Sequence, residues 1–344
     1  MNRHRFQPHQ LTALLAVFFL VTACGGDDGG GGGDGGGDGG ASGGDPPRIA
    51  AVFSGTTTDA DYTFLGLQAL QAAEEEFDAE TTYSENVAVP DAERTIREYV
   101  ADGYNVVWTH GSQFYDATIA VAAEAPDVVF IAEQDTEPQD LPSNVWVLDR
   151  NFHLAFYPLG VLAGAATQTG TIAYLGGVTL PFSYSEVHAV EQALADSGSD
   201  ATLTPVWTGD FNDPTRAQQV TTQLIGSGAD VILGALNLGM VGAFEAVKQE
   251  PDVLITAKYT DKSDLAPDNY VTSVLYDFTV MLNEILNQIT DGETGGYLGM
   301  SFEQGISMQA PANVDQAVVD LLNQTVEDIR NGEIDVVRDV SPVE

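Results

Sequence analysis

Aromatic and acidic side chains stand together where predicted strands end and predicted helices begin. Residues 58–63 (TDADYT) follow one apolar strand-like run, and residues 208–214 (TGDFNDP) follow another. Asp59 is able to cap a helix that starts near Tyr62, and capping alone would explain an acid at this position. The rings of Tyr62 and Phe211 suit stacking on a planar ligand whose edge is fixed by polar groups. We therefore expect two facing rings that hold a flat, polar solute.

A histidine and a glycine lie at a third strand end. His110 closes the strand-like run 105–109 and is followed by Gly111. Doubly wound sheets bind ligands beyond the carboxyl ends of their strands, so both residues are candidate ligand contacts, with a structural role for the histidine as the alternative. The other histidines beyond the leader, His153 and His188, lie far from it in sequence, without metal-ligand spacing. We predict no metal site and no cofactor.

Motifs for catalysis are absent from the sequence. It contains no G-x-S-x-G, H-E-x-x-H, Walker, G-x-G-x-x-G or EF-hand pattern. Carboxylate pairs cannot be singled out, because 51 acidic residues supply many chance pairs. We predict no catalytic residues and no enzymatic activity. A secreted hydrolase is the remote alternative, and it would need a nucleophile with a base in reach.

The charge excludes nucleic-acid polymers as partners. Asp and Glu number 51 against 12 Lys and Arg, so the formal net charge is −39. A surplus of this size repels phosphate backbones. Such a surface is typical of adaptation to high salt, where screening shortens the repulsion, and an ordinary acidic secreted surface is the alternative.

The amino terminus has the pattern of an exported lipoprotein. Arg3 and Arg5 precede the apolar run 11–23 (LTALLAVFFLVTA), which is too short to span a membrane as a helix. The run ends in small residues before Cys24, the only cysteine, and this ending resembles a bacterial lipobox. We expect residues 1–24 to be a signal peptide and lipobox, Cys24 to carry the lipid, and no intramolecular disulfide to form.

A flexible tether is expected to follow. Residues 25–44 are fourteen Gly, four Asp, one Ala and one Ser, and the predicted tether extends over 25–47. Twenty such residues have a root-mean-square span of about 25 Å. The folded part would then stay within reach of a partner in the same membrane.

Beyond the tether, strand-like apolar runs alternate with amphipathic runs of helical length. This alternation predicts an α/β protein with parallel sheets and crossover helices. The length suits two doubly wound lobes, and we expect a monomer. We assign 48–150 plus about 271–344 to lobe 1 and 151–270 to lobe 2, with crossings just before 151 and near 261–270.

From residue 48 to about 337 the chain resembles the basic membrane protein family of ABC-transporter solute receptors, whose purine-nucleoside receptors form one branch. The resemblance rests on the order and spacing of 59–70 (DADYTFLGLQAL), 102–110 (DGYNVVWTH), 125–131 (APDVVFI), 156–177 (FYPLGVLAGAATQTGTIAYLGG), 211–214 (FNDP), 228–231 (GADV) and 265–273 (LAPDNYVTS). It implies a type I periplasmic-binding-protein fold, with two α/β lobes joined by a three-strand hinge that close on the ligand.

The resemblance also implies roles for individual residues. Tyr62 and Phe211 match the two rings that stack on the purine. Asp261 matches an acid that binds ribose hydroxyls. The acid that reads the purine edge would be Glu133 or Asp135.

Two departures from the nucleoside branch bear on the ligand. Tyr276 stands where that branch has a lysine that reaches the ribose, and 55–58 (GTTT) replaces its first-loop Gly-Gly. Loss of the ammonium favours a nucleobase or another planar solute over a ribonucleoside. Thr63 and Asn237 complete the set of expected ligand contacts.

The resemblance implies a lipid-anchored receptor on the extracytoplasmic face of the cell membrane. It would capture a small neutral planar solute of the nucleoside or nucleobase class and deliver it to an ABC permease with its ATPase. A ligand-sensing lipoprotein that signals to a membrane partner is the alternative function.

Overall fold

The structure is a computed structural model that describes residues 3–5 and 46–343. The strands are β1 (Arg3–Arg5), β2 (Arg48–Phe53), β3 (Glu80–Ser84), β4 (Val106–His110), β5 (Val129–Gln134), β6 (Val145–Asp149), β7 (Thr171–Gly176), β8 (Thr202–Trp207), β9 (Val231–Ala235), β10 (Leu254–Tyr259), β11 (Tyr270–Tyr276), β12 (Gly296–Gly299) and β13 (Ile306–Met308). The helices are α1 (Tyr62–Phe77), α2 (Ala92–Ala101), α3 (Tyr115–Ala122), α4 (Phe152–Ala166), α5 (Pro181–Asp196), α6 (Pro214–Gly226), α7 (Met240–Val247), α8 (Phe278–Thr290) and α9 (Gln316–Arg330).

The strands form two separate sheets, one in each lobe. The order in the first sheet is β1-β3-β2-β4-β5-β6-β12, and the order in the second is β13-β11-β10-β9-β7-β8. Pairing is parallel except at one edge of each sheet, where β1 and β13 run antiparallel to their neighbours. The predicted fold class, two doubly wound parallel-sheet lobes, is confirmed.

Continuous apolar runs explain the central strands. In β2 (RIAAVF) and β9 (VILGA) nearly every residue is buried, on both faces of the strand. Parallel strands covered by helices on both sides require this pattern rather than alternation of polar and apolar residues.

Small residues in α4 let α5 approach closely. A Cβ atom at Gly160 would lie 2.8 Å from the Ala193 Cβ, and one at Gly164 would lie 2.9 Å from a methyl carbon of Leu194. The two helices form the most extensive helix pair of the second lobe. The glycines of α4 therefore allow the close approach of α5.

Three connections pass between the lobes: β6 to α4, β11 to α8, and β12 to β13. This agrees with the three-strand hinge implied by the family resemblance. The expectation that the strand beginning at residue 271 returns to lobe 1 is wrong, because β11 pairs in parallel with β10 of the second sheet, with Lys258 opposite Val274. The return to lobe 1 comes one element later, when α8 packs on α1 and β12 pairs with β6.

The carboxyl-terminal segment lies across both lobes. The Gln192 side chain of α5 donates to the carbonyl of Asp335 (3.0 Å) and accepts from the backbone N–H of Val337 (2.9 Å). Arg338 then donates to the carbonyl of Asp135 in lobe 1 (2.7 Å). The carboxyl-terminal part of the range predicted for lobe 1 thus contacts both lobes, and α9 packs on α4 of lobe 2.

Apart from β1 and residues 46–47, the predicted leader and tether lie outside the described residues, and so does Cys24. Within the part of the chain that the structure describes, the helices are too short or too polar to cross a membrane.

Candidate functional site

A small cavity lies between the two lobes, at the carboxyl ends of their strands. Its volume is about 40 Å³. It is lined by Ser54, Tyr62, Gln113, Arg150, Leu180, Phe182, Phe211, Asn237 and Tyr259. These residues lie at the ends of strands β2, β4, β6, β7, β8, β9 and β10, in the loops beyond them, or in the first turn of the helix that follows, where doubly wound sheets bind ligands. Tyr62, Phe211 and Asn237 were expected there from the sequence.

Two larger cavities lie elsewhere. One of about 800 Å³ lies near the amino ends of β7, β9 and β10, where Asp230 binds the 167–169 loop. The other, of about 860 Å³, lies beside the hinge and is lined by Asp261 and Tyr276. We place the candidate site in the small cavity, because three residues expected to bind the ligand, Tyr62, Phe211 and Asn237, line it from both lobes.

Tyr62 opens α1 and lies against a polar cluster of lobe 1. Its ring stacks on the ring of His110, with centroids 3.9 Å apart and planes 13° apart. Its hydroxyl donates to Glu133 and accepts from Arg150 Nη1 at 3.3 Å. One face of the Tyr62 ring is thus already covered by the protein.

His110 and Glu133 form a buried pair behind Tyr62. His110 Nε2 donates to the Tyr62 carbonyl (2.8 Å), and Nδ1 lies 2.5 Å from Glu133 Oε1. Burial raises the pKa of Glu133, but the charge and hydrogen bond of His110, helped by Arg150 and Tyr62, outweigh it and hold the pKa below its ordinary value. The pair supports the Tyr62 ring and does not line the cavity.

Arg150 lies at the centre of the site, and the sequence analysis missed it. It follows β6 at the first connection between the lobes and is 2% exposed. Nη2 donates to Ser112 Oγ (2.9 Å) and to the carboxylate of Asp135. The guanidinium carbon lies 4.7 Å from the ring centre of Phe152 and 4.8 Å from that of Phe182. Its position after a buried strand is the one signal by which sequence could have found it.

A second buried cation lies below the site in lobe 2. Lys258 Nζ donates to Glu186 Oε1 (2.7 Å), and the Tyr174 hydroxyl donates to Oε2 (2.5 Å). The ammonium also lies over the rings of Phe152 (4.4 Å) and Tyr259 (4.8 Å). Burial lowers the pKa of Lys258 and raises the pKa of Glu186, and the attraction between the two groups opposes both shifts.

A third cation joins the two lobes. Lys262, in the loop after β10, donates to the carboxylate of Asp61, in the loop before α1. Thr260 Oγ1 lies 3.2 Å from the same Asp61 oxygen and donates to the Ala60 carbonyl (3.1 Å). Burial raises the pKa of Asp61 to about 7, although Lys262 lowers it. We call this group of contacts the interlobe latch.

Asp59 and Thr63 belong to the cap of α1. The Asp59 carboxylate accepts from the backbone N–H groups of Asp61 (2.9 Å), Thr63 (3.0 Å) and Phe64 (3.0 Å). Thr63 is buried, with its hydroxyl against Gly55. In this conformation both residues hold the loop that carries Tyr62 and neither lines the cavity.

Asp59→Ala is expected to lower the free energy of unfolding by about 1–2 kcal/mol, because three backbone donors lose their acceptor. Chemical denaturation of the two proteins measures the difference. Asp213→Ala is the matched control, because Asp213 caps α6 with a single bond to the Arg216 N–H at the surface. If both variants lost the same free energy of unfolding, the three bonds to Asp59 would stabilise the protein no more than the single bond to Asp213.

Phe211 reaches the cavity from lobe 2. Its ring lies nearly parallel to that of Phe182, with centroids 6.1 Å apart. Its carbonyl accepts from the Asn237 N–H (3.1 Å), which fixes the loop. Space for the ring depends on Gly177, because a Cβ atom there would lie 2.2 Å from Phe211 Cδ1. Phe182, the second residue of α5, was missed by the sequence analysis, although a ring in the first turn of the helix after β7 has the same kind of position as Tyr62.

Gly111 shapes the wall of the cavity without lining it. Its φ of +142° is a conformation that residues with a Cβ atom rarely adopt. A Cβ atom there would also lie 2.7 Å from Oε1 of Gln113, which does line the cavity. A glycine is thus required by the turn after β4.

Asp261 and Tyr276 lie away from the small cavity. Asp261 is exposed and accepts from the Ser263 N–H (2.8 Å), a bond that lowers its pKa. Tyr276 is buried against Phe152, with ring centres 4.7 Å apart, and its hydroxyl has no hydrogen-bond partner among residues 46–343. Their roles in ligand binding stay predictions.

The site contains no candidate metal centre. Across the described part of the chain, no three His, Cys, Asp or Glu side chains cluster in a way that could hold an ion.

Comparison with known proteins places the chain in a family. Residues 47–339 match the family model Bmp, described as ABC transporter substrate-binding protein PnrA-like. A Haloferax volcanii protein with the provisional name ABC transporter glucose-binding protein TsgA13 is 28% identical over 292 residues, which are 83% of this chain and 73% of that protein. A purine-binding protein of Brucella abortus is 24% identical over 292 residues, which are 83% of this chain and 82% of that protein.

A solved structure supports the same fold. The solute-binding protein of an ABC transporter system from Aeropyrum pernix K1 superposes with a TM-score of 0.73 at 17% identity, covering 86% of this chain and 94% of that one. The match of the family model spans both lobes and the whole interlobe site. The chain therefore belongs to the Bmp family of PnrA-like ABC-transporter substrate-binding proteins.

Proposed function

We propose that this receptor captures a small neutral planar solute of the nucleobase or nucleoside class and delivers it to an ABC importer. The observation that carries the proposal is that Tyr62 of lobe 1 and Phe211 of lobe 2 line one cavity. Two rings from opposite lobes gain contact with a flat ligand only when the lobes close. The ligand would then favour the closed state, and no catalytic step is needed.

The charge balance of the site supports a neutral ligand. Arg150 is paired with Asp135, Lys258 with Glu186, and Lys262 with Asp61. Because each of these cations has a carboxylate beside it, none is left unpaired to attract an anionic solute.

The lobes have to separate before a ligand enters. A cavity of about 40 Å³ is much smaller than the roughly 300–1,000 Å³ typical of ligand pockets. Rotation about the three interlobe connections would enlarge it, as in hinge closure of two-lobed receptors. Arg150 lies at one of these connections and would stay at the floor of the cleft.

Membrane attachment through Cys24 completes the proposal. A lipid on this cysteine and the Gly-rich tether would keep the receptor near its permease. Cys24→Ser should move the protein from the membrane fraction to the soluble extracytoplasmic fraction. Retention of that variant in the membrane would remove the anchor from the proposal.

The ligand class is tested with residues 25–344 against hypoxanthine, adenine, their nucleosides and D-glucose. We expect a nucleobase or nucleoside at one hundred times its Kd to add about 2.7 kcal/mol of stability, visible as a rise in Tm. D-glucose is included because the Haloferax relative is named for it. Stabilisation by glucose alone would overturn the planar-ligand proposal and favour sugar binding.

Tyr62→Ala and Phe211→Ala are each expected to weaken binding of the stabilising nucleobase by about 1–3 kcal/mol, the range for stacking of a base on an aromatic ring. Isothermal titration calorimetry measures the loss. Tyr184→Ala is the control, because Tyr184 contacts Trp207 and does not line the cavity. If both site variants bind as well as wild type, the two rings do not hold the ligand.

A further inference from the structure

The carboxyl-terminal segment 335–341 is fixed to lobe 2 by three hydrogen bonds. The Gln192 side chain of α5 makes two of them to the backbone of the segment. His188, one turn earlier on α5, makes the third, from Nε2 to the Ser341 carbonyl (3.0 Å). Val336, which lies between these contacts, is buried. The segment thus moves with lobe 2.

Arg338 extends from this segment to lobe 1. Its Nη1 donates to the carbonyl of Asp135 after β5 (2.7 Å) and to the carboxylate of Asp149 at the end of β6. The side chain of Asp149 is completely buried, and that of Arg338 is 20% exposed. Hydrogen bonds between charged groups are strong, and burial protects them from screening by salt. Arg338 is therefore a link between the lobes that is separate from the interlobe latch.

The link ends at the hinge. Asp149 Oδ1 accepts from the Asn151 N–H (3.0 Å), and Oδ2 also accepts from the Tyr297 hydroxyl (2.6 Å). Asn151, in the connection from β6 to α4, donates through Nδ2 to the carbonyl of Met300 (2.8 Å), in the connection from β12 to β13. Two of the three interlobe connections are thus joined to the carboxylate that Arg338 holds, one directly and one through Asn151.

Arg338 and the interlobe latch hold lobe 1 at different strands. The latch reaches the loop after β2, whereas Arg338 reaches the ends of β5 and β6, on the other side of β4. A rotation that moves α5 away from the ends of β5 and β6 would break the bonds of Arg338. A contact that is made only while the lobes lie together favours the closed state by the free energy of its bonds.

We propose that Arg338 is a positioning residue that holds the two lobes in the closed arrangement, so that the population of the closed receptor depends on the carboxyl-terminal segment. This inference rests on the hinge movement of the proposed function and applies whichever solute is bound. Loss of the link would make closing less favourable and would weaken binding, although Arg338 does not line the small cavity.

The test measures the distance between the lobes without ligand. Val89, between β3 and α2, and Val241 of α7 lie on different lobes and are 52% and 39% exposed. Val89→Cys and Val241→Cys in the Cys24→Ser chain, which has no other cysteine, accept spin labels for double electron–electron resonance. We expect Arg338→Met to lengthen the distance and to lower the ratio of closed to open molecules about tenfold, because hydrogen bonds between charged groups are lost.

Arg97→Met is the matched control. Arg97 bonds to Glu93 and Glu124, and all three residues belong to lobe 1. The same loss of an arginine therefore leaves the contacts between the lobes intact, and the distances should equal those of the labelled chain without further substitution. If Arg338→Met gave the same distances as Arg97→Met, Arg338 would not hold the lobes together and the inference would be wrong.

Asp149→Asn tests the partner of Arg338. The amide has nearly the shape of the carboxylate but lacks its charge. In this background Arg338→Met should change the ratio of closed to open molecules by less than about threefold, because the two substitutions remove the same interaction. An undiminished effect would show that Arg338 does not act through Asp149 and would overturn the inference. If Asp149→Asn does not fold, the comparison of Arg338→Met with Arg97→Met still decides.

These outcomes are separate from those of the proposed function. None of the distance measurements uses a ligand, so a negative result for Arg338 leaves the planar-ligand proposal intact. Stabilisation by D-glucose alone would overturn the planar-ligand proposal and would leave the role of Arg338 unchanged.

Discussion

Lys258→Met is expected to lower the free energy of unfolding by about 3–5 kcal/mol, because it leaves the carboxylate of Glu186 buried without its cation. Both side chains are completely buried, and their bond of 2.7 Å lies inside lobe 2. The methionine nearly matches the lysine stem in size, so the loss comes from the missing charge. Chemical denaturation at neutral pH measures it.

Two further variants separate charge from packing. Lys258→Met with Glu186→Gln has no unpaired charge, and the glutamine can still accept from Tyr174, so we expect most of the stability to return. Lys248→Met breaks the exposed pair with Glu245 and should cost less than about 1 kcal/mol. If Lys258→Met and Lys248→Met lowered the free energy of unfolding equally, burial of the unpaired carboxylate would not be the cause of the loss.

The placement of Tyr62 and Phe211 could be predicted from the sequence because it depends on local signals. Tyr62 begins the helix after β2, and Phe211 lies in the polar loop after β8, and such strand-to-helix connections meet at one edge of a parallel sheet. That both rings line one cavity follows from the opposition of two lobes of the same design. Local chemistry and topology were sufficient here.

Arg150 and Lys258 could not be predicted in the same way. Charged residues are rarely buried unless they are paired, and the pairing partner is set by tertiary structure. Glu186 is 72 positions from Lys258 and on another element. No pattern within a window of the sequence indicates such a pair.

The assignment of β11 to lobe 1 failed for a related reason. The apolar run at 271–275 predicts a strand, and β11 is present there, but which sheet a strand joins is decided by the neighbours with which it pairs. Here β10 and β11 pair in parallel before the chain leaves the lobe. The family resemblance gave the number of connections and left their positions open.

Ligand affinity is expected to rise about tenfold as the pH falls from 8 to 6, because closing the lobes buries Asp61 in the interlobe latch. In the closed structure the pKa of Asp61 is about 7, against an ordinary value of 3.8. When the lobes separate, the carboxylate regains water and its pKa returns toward the ordinary value. Closing therefore takes up a proton between about pH 4 and pH 7. The gain in ligand affinity from this proton uptake is fully present below about pH 4 and is lost as the pH rises through about 7.

Three variants test whether the pH dependence of ligand affinity comes from the interlobe latch. The groups around Asp61 are Lys262 and Thr260 from lobe 2 and Asp59 from its own loop. Asp61→Asn has no proton to take up, so its affinity should be flat over this range. Lys262→Met removes the charge that lowers the pKa of Asp61, so the pH dependence should move to higher pH. Asp261→Asn changes a neighbouring exposed carboxylate and should leave the wild-type profile intact. A wild-type slope that persists in Asp61→Asn would mean that another group couples protons to closure.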